Sequence, residues 1–115
     1  MRLDLDFIRN LLIKIDSFDT YNPITNYDLT DDDTPINKIN TYLSLLVEEE
    51  LISAEYETYV NGSQSYRIKY ITFKGQSFID KIKDNCLWKK YKEKITSSEI
   101  SSLSGIIEFI LKIQY

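Results

Sequence analysis

The sequence predicts an α+β fold in which helices flank a two-stranded antiparallel hairpin, with two additional C-terminal helices after it. Three observations predict this. Apolar residues recur at helical spacing through Asp4–Ser17, through Pro35–Glu50 and again beyond Thr72. Between Ile52 and Phe73 the period drops to two, broken by the turn signal Asn61-Gly62-Ser63. Only three Gly and two Pro in 115 residues favour continuous elements over a loop-rich scaffold.

The first helix carries Leu5, Ile8, Leu12 and Ile15 in one stripe, widened by Phe7 and Leu11. Asp4 and Asp6 suit its positive N-terminal end. Residues 18–34 are polar, hold Pro23 and lack a helical period, and a short strand is expected around Ile24–Leu29. Asp31-Asp32-Asp33 looks like a fragment of a calcium loop. The glycine and later glutamate of that loop are missing, so a solvated helix entry is the expectation. Thr34 is the expected N-cap of the next helix, with Pro35 at its first position. Ile36, Ile39, Leu43, Leu46 and Val47 form its buried stripe, and Asn37, Lys38, Thr41, Ser44 and Glu48 its outer face.

The hairpin register follows from cross-strand pairing. A three-residue loop pairs Glu57 with Arg67, Glu55 with Lys69, Tyr56 with Ile68, Ala54 with Tyr70 and Thr58 with Tyr66. One face is then charge-paired and the other apolar. A two-residue loop sets Glu55 against Ile68 and mixes the faces, so the first register is expected.

Thr72 is an expected helix cap, and Gly75 lets that helix pack closely. The stripe continues through Phe78, Ile79, Ile82 and Cys86, with a kink or restart at Asp84-Asn85. Leu87, Trp88, Tyr91 and Ile95 then carry an apolar seam through a basic run. Thr96-Ser97-Ser98-Glu99 reads as a capping box for a last helix running from Glu99 to the C-terminus. A helix followed by a two-stranded ribbon is the arrangement of a winged helix. The chain therefore reads as a single winged-helix-like domain over 1–115. Its segment 97–115 is a C-terminal helix that could pair with a second copy through Leu103, Ile107, Ile110 and Leu111.

Composition narrows the function. With 43% apolar residues the chain can bury a core without metals or disulfides. It has no histidine and one cysteine, Cys86, which excludes His-based triads, His general bases and tetrahedral Cys/His zinc sites. No catalytic residue, no cofactor and no small-molecule substrate is expected. Met1 leads straight into charged, amphipathic sequence, with no secretory signal. No apolar run approaches the roughly 20 residues that span a bilayer. A cytoplasmic protein with no membrane partner is the expectation. Charge is split: residues 1–60 hold 13 Asp/Glu and four Lys/Arg, a net of −9, while residues 61–115 hold five and ten, a net of +5. Such asymmetry fits a nucleic-acid surface or a self-complementary dimer, or else two halves that neutralise each other in one fold.

The stretch from Ile71 to Ile95 also carries a resemblance. It reads Ile-Thr-Phe-Lys-Gly-Gln-Ser-Phe-Ile-Asp-Lys-Ile-Lys-Asp-Asn-Cys-Leu-Trp at its start. This is similar to the signature of an uncharacterised winged-helix family common in bacterial phages and prophages. That signature has Leu-Thr, an aromatic, one residue, Gly-His, Phe-Leu-Asp, an Ile-Arg-Asp run and a Trp near a Lys. Thr72, Gly75, Phe78, Asp80, Ile82, Asp84 and Trp88 match it. Arg2–Arg9 and Ile39–Ile52 resemble the family as well, so the likeness covers roughly residues 1–95. Gln76 stands where the family has His, and Glu50 stands where it often has Gly. The family has no established activity, so the resemblance implies the fold more than a function.

Two readings of function follow. DNA binding would place the Pro35–Glu50 helix in the major groove, with Asn37, Asn40, Thr41 and Ser44 at base edges. Lys38, Arg67 and Lys69 would then meet phosphates. A firm duplex binder makes about six to ten phosphate contacts. This helix has one lysine and is flanked by three aspartates and three glutamates. A second basic surface is offered by Lys89, Lys90, Lys92 and Lys94, with Trp88 and Tyr91 interleaved. Binding to a protein partner, or to itself as a homodimer, is the favoured expectation, and nucleic acid is the alternative.

Overall fold

A computed structural model describes residues 3–18 and 23–113. The expected end of the last helix at Gln114 and Tyr115, and the opening Arg2, lie outside the described residues. The fold is α+β, and the described residues form five α-helices and a three-stranded antiparallel sheet.

Helix α1 (Leu5–Ser17) is capped by Asp4, whose carboxylate accepts the Phe7 N–H at 3.0 Å. It buries Ile8, Leu11, Leu12 and Ile15. Strand β1 is short, Ile24–Thr25, and a 3₁₀ turn at Asn26–Leu29 follows it. The expected strand stops early because the Asp28 carboxylate folds back onto the Thr25 N–H at 2.9 Å. β1 nevertheless adds a third strand to the expected two-stranded hairpin.

Pro35 rather than Thr34 occupies the N-cap position of helix α2 (Ile36–Glu48), and its side chain makes no cap hydrogen bond. Thr34 is held in a turn, its N–H on the Asp31 carbonyl, so it cannot reach the helix start. The other end of α2 closes with two bonds, Glu50 N–H to the Val47 carbonyl and Leu51 N–H to the Leu46 carbonyl. That geometry needs a left-handed residue between them, and Glu50 takes it with φ of 61°. Glu50→Gly is expected to raise stability by about 1 kcal/mol, because a side chain in this region costs about 1–2 kcal/mol. A thermal melt measures it, and an unchanged or lowered midpoint would contradict the strain.

Strands β2 (Ile52–Thr58) and β3 (Gln64–Ile71) form the hairpin, with β3 central in the order β1-β3-β2. The register differs from the expected one by two residues. Glu55 lies opposite Arg67, Tyr56 opposite Tyr66, Glu57 opposite Ser65, Thr58 opposite Gln64 and Ala54 opposite Ile68. The turn is therefore longer than three residues. It spans Tyr59–Ser63, closed by Tyr59 N–H to the Ser63 carbonyl at 2.8 Å, with Gly62 at φ 87°. A bulge between Ser53 and Ala54 shifts the register by one residue, so Ser53 lies opposite Tyr70 and Ile52 opposite Ile71.

Helix α3 (Phe73–Ile82) is capped by Thr72, which accepts the Gly75 N–H at 3.0 Å. Asp84 caps α4 (Asn85–Ser97), so Asp84-Asn85 is a restart. Arg9 seals the end of α3, its guanidinium donating to the Ile82 and Lys83 carbonyls at 2.7 and 3.0 Å. The expected capping box at Thr96–Glu99 does not form. Those residues terminate α4, with Glu99 in a left-handed conformation and Ile100 N–H on the Ile95 carbonyl. Helix α5 begins later, at Leu103–Lys112, capped by Ser102. Leu103, Ile107 and Ile110, expected as a face for a second copy, are buried inside this chain, and Leu111 is only partly exposed. One continuous core joins α1, α2, the inner face of the sheet, α3, α4 and α5.

Candidate functional site

The chain leaves β1 after Thr25, while β3 continues past the end of its partner. Backbone groups of β3 at Gln64 and Tyr66 then need partners, and Asn26 supplies them. Its Oδ1 accepts the Tyr66 N–H at 3.2 Å and its Nδ2 donates to the Gln64 carbonyl at 3.0 Å. The carboxamide of a buried side chain thus stands in for one further rung of the ladder. Its Nδ2 also donates to Asn40 Oδ1 on α2 at 2.6 Å, which fastens that helix to the sheet.

Above this pair a groove of about 230 Å³ opens between α2 and the hairpin turn. Tyr27, Asn37, Asn40, Thr41, Ser63 and Gln64 line it, and Tyr27 stands half exposed at its rim. Among the described residues no charged side chain lines it.

The residues expected to contact a partner are dispersed by the fold. Asn37 and Thr41 share the groove, and Ser44 lies exposed on the same helix. Asn40, read as a base-edge contact, is buried on Asn26 instead. Lys38 turns toward α1, where its ammonium lies 3.4 Å from Asp4 and 4.3 Å from the centre of the Phe7 ring. Arg67 lies opposite Glu55, and Lys69 reaches the same glutamate at 3.8 Å. The basic run sits on α4, away from the groove, with Lys89, Lys90 and Lys94 exposed. Trp88 and Tyr91, interleaved with these lysines in sequence, are buried at 5% and 2% exposure, so neither offers a stacking face. Asn26, Tyr27 and Gln64 were not expected at a site. Nothing in their local sequence distinguishes a ladder substitute from an ordinary loop asparagine.

The charge split closes partly on itself. Asp6 accepts the Trp88 indole N–H at 2.8 Å and pairs with Lys92 at 2.9 Å, joining the acidic first helix to the basic fourth. The Trp88 hydrogen bond, then that from Lys92, holds the Asp6 carboxyl below its ordinary 3.8. Folding favours the charged form, so this contribution is fully present above pH 3.8. It is lost as the pH falls through the lower folded value. The Asp6 side chain is 61% exposed, and water screening keeps the effect under about 1 kcal/mol. Asp6→Asn is expected to flatten the acid limb of the stability profile by that amount. Urea midpoints measured on both sides of pH 3.8 read it, and an unaltered acid limb would refute it.

Among the described residues no helix is long and apolar enough to cross a membrane, and no group of three or more Asp, Glu or Cys side chains is placed to hold a metal ion. A family described as "Hypothetical protein (DUF2513)" matches residues 2–101. No curated protein and no solved structure matches the chain.

Proposed function

The chain belongs to the DUF2513 family, a domain of unknown function, and we propose that it is a non-enzymatic accessory protein that acts by protein–protein contact. It is of the kind that phages and prophages carry, built on a winged-helix scaffold. The element order supports the scaffold reading. Helix α1, strand β1, a short helical turn, helix α2 and the β2–β3 hairpin follow one another, with β1 on the outer edge of β3.

The observation that carries the protein-contact reading is the chemistry of the face that such a scaffold presents to a duplex. Its groove is lined by uncharged groups. The one lysine of α2 is tied to Asp4, and the two cations of the hairpin face Glu55. Acidic runs at residues 31–33 and 48–50 flank both ends of the helix. Phosphate neutralisation supplies most of the affinity for nucleic acid, and this surface has little to supply it with. The partner is a different protein rather than a second copy through α5, whose apolar stripe is already used in the core.

A gel shift with a nonspecific duplex at about 50 mM salt tests the proposal. The expected result is no binding tighter than about 100 μM, the weak end of nonspecific association. Micromolar, salt-sensitive binding that disappears when Lys89, Lys90, Lys92 and Lys94 are charge-reversed would overturn it in favour of DNA binding.

A further inference from the structure

Asn26 fixes which way Asn40 faces. Tyr66 N–H must meet an acceptor, so Asn26 presents Oδ1 to it, and its Nδ2 therefore faces Gln64 and Asn40. Both Nδ2 hydrogens are then used. The atom of Asn40 that meets Asn26 has to accept, which makes it Oδ1, and the Asn40 Nδ2 is turned away from Asn26. Asn40 is only 8% exposed, and its Nδ2 donates to no acceptor among the described residues. Asn40 itself lines the groove.

Two hydroxyls that line the groove have the opposite character. Thr41 Oγ1 spends its hydrogen on the Asn37 carbonyl at 2.9 Å, and Ser63 Oγ spends its own on Asn61 Oδ1 at 2.7 Å. Both hydroxyl oxygens are left as acceptors. The groove thus combines a donor at Asn40 with acceptors at Thr41 and Ser63, and among the described residues no charged side chain lines it.

We propose that this groove is a recognition site for a carboxamide, the Asn or Gln side chain of an exposed loop on a partner protein. The carbonyl of that side chain accepts from Asn40 Nδ2, and its NH₂ donates to the hydroxyls of Thr41 and Ser63. A carboxylate would set its second oxygen against those acceptors with no cation to compensate. An ammonium would meet the Asn40 donor. A nucleobase edge offers a similar donor–acceptor pair, but its phosphates would approach the acidic runs at 31–33 and 48–50. The proposal rests on the protein-contact reading and names the chemistry of the partner.

Titration of the ¹⁵N-labelled full chain with acetyl-Gly-Gln-Gly-amide tests it, with the Glu peptide and a short DNA duplex as the other probes. Saturable shifts are expected at the side-chain NH₂ of Asn40 and at the backbone amides of Gly62 and Ser63. The Glu peptide is expected to bind about tenfold more weakly, the scale of one buried hydrogen bond lost against an unpaired charge. Asn40→Asp keeps an acceptor for Asn26 and removes the donor, so it should erase the preference for Gln. Should that variant not fold, Thr41→Val leaves the Asn26–Asn40 pair untouched and should weaken the Gln peptide about threefold. No saturable shift, or equal shifts with Gln and Glu, overturns the carboxamide site and leaves protein contact standing. Shifts in the groove with the duplex overturn both.

Discussion

Gly75→Ala is expected to destabilise the protein by about 3 kcal/mol or more, against the sign that helix propensity gives. In an exposed helix the same change stabilises by about 1 kcal/mol. Here a Cβ on Gly75 would overlap the Leu51 carbonyl oxygen and come within 2.9 Å of Ile71 Cγ2. The carbonyl is main chain and cannot rotate aside. It also accepts the Thr72 N–H at 3.1 Å, while the Thr72 hydroxyl donates to the Glu50 carbonyl. The start of α3 is therefore docked on the turn that ends α2. Moving it outward breaks the Thr72 cap as well as the contact, adding about 1 kcal/mol to an overpacking cost of about 1–3. At Gly105 the nearest atoms are side-chain ends, Ser102 Oγ and Ile100 Cγ2, which can give way. Gly105→Ala should cost clearly less. Urea denaturation of the two variants side by side decides it, and a Gly75→Ala chain as stable as the parent would refute the close approach.

Asn26→Ala is expected to cost about 4 kcal/mol. The side chain holds Tyr66 N–H, the Gln64 carbonyl and Asn40 at once, and all three lose their partner in a buried place. Each such group carries a desolvation penalty of about 1–3 kcal/mol, partly relieved if water enters. Asn26→Asp separates shape from chemistry. It still accepts from Tyr66, but it sets a carboxylate oxygen against the Gln64 carbonyl and Asn40 Oδ1. It should therefore be nearly as damaging as alanine. Hydrogen exchange at the Tyr66 amide gives a local reading, with protection expected to fall in both variants. An Asn26→Asp chain with parental stability would show that the donor role is wrong.

Much of this fold was legible from spacing and caps. Thr72 caps a helix as expected, and the kink or restart expected at Asp84-Asn85 is a restart, with Asp84 as the cap. Trp88 and Tyr91 share their spacing with Leu87 and Ile95, and both are core. The hairpin was legible in parity but not in offset. Glu55 and Glu57, and Arg67 and Lys69, repeat at spacing two, so a slip of two residues keeps every side chain on its face. Turn closure by Tyr59 and Ser63 then chooses the register, and their sequence gives no warning of it. Thr96–Glu99 misled for a related reason. The pattern Thr-x-x-Glu marks a helix start only when the chain enters there from an extended conformation. Here it arrives already helical, from the Tyr91–Ile95 seam. The site was the least legible part. Asn26 and Asn40 are polar residues in positions that read as loop and helix surface, and only the early departure of β1 from β3 makes them partners.

The α2–hairpin face is proposed to meet protein rather than nucleic acid. A residue-by-residue amide shift map of the ¹⁵N-labelled chain against a nonspecific duplex of about 20 base pairs, at low salt, tests it most directly. The expected result is no saturable shift over residues 36–48 or 59–64, with any weak, salt-labile perturbation confined to α4. Saturable shifts centred on Asn37, Thr41 and the hairpin turn, weakening steeply as salt rises, would contradict it.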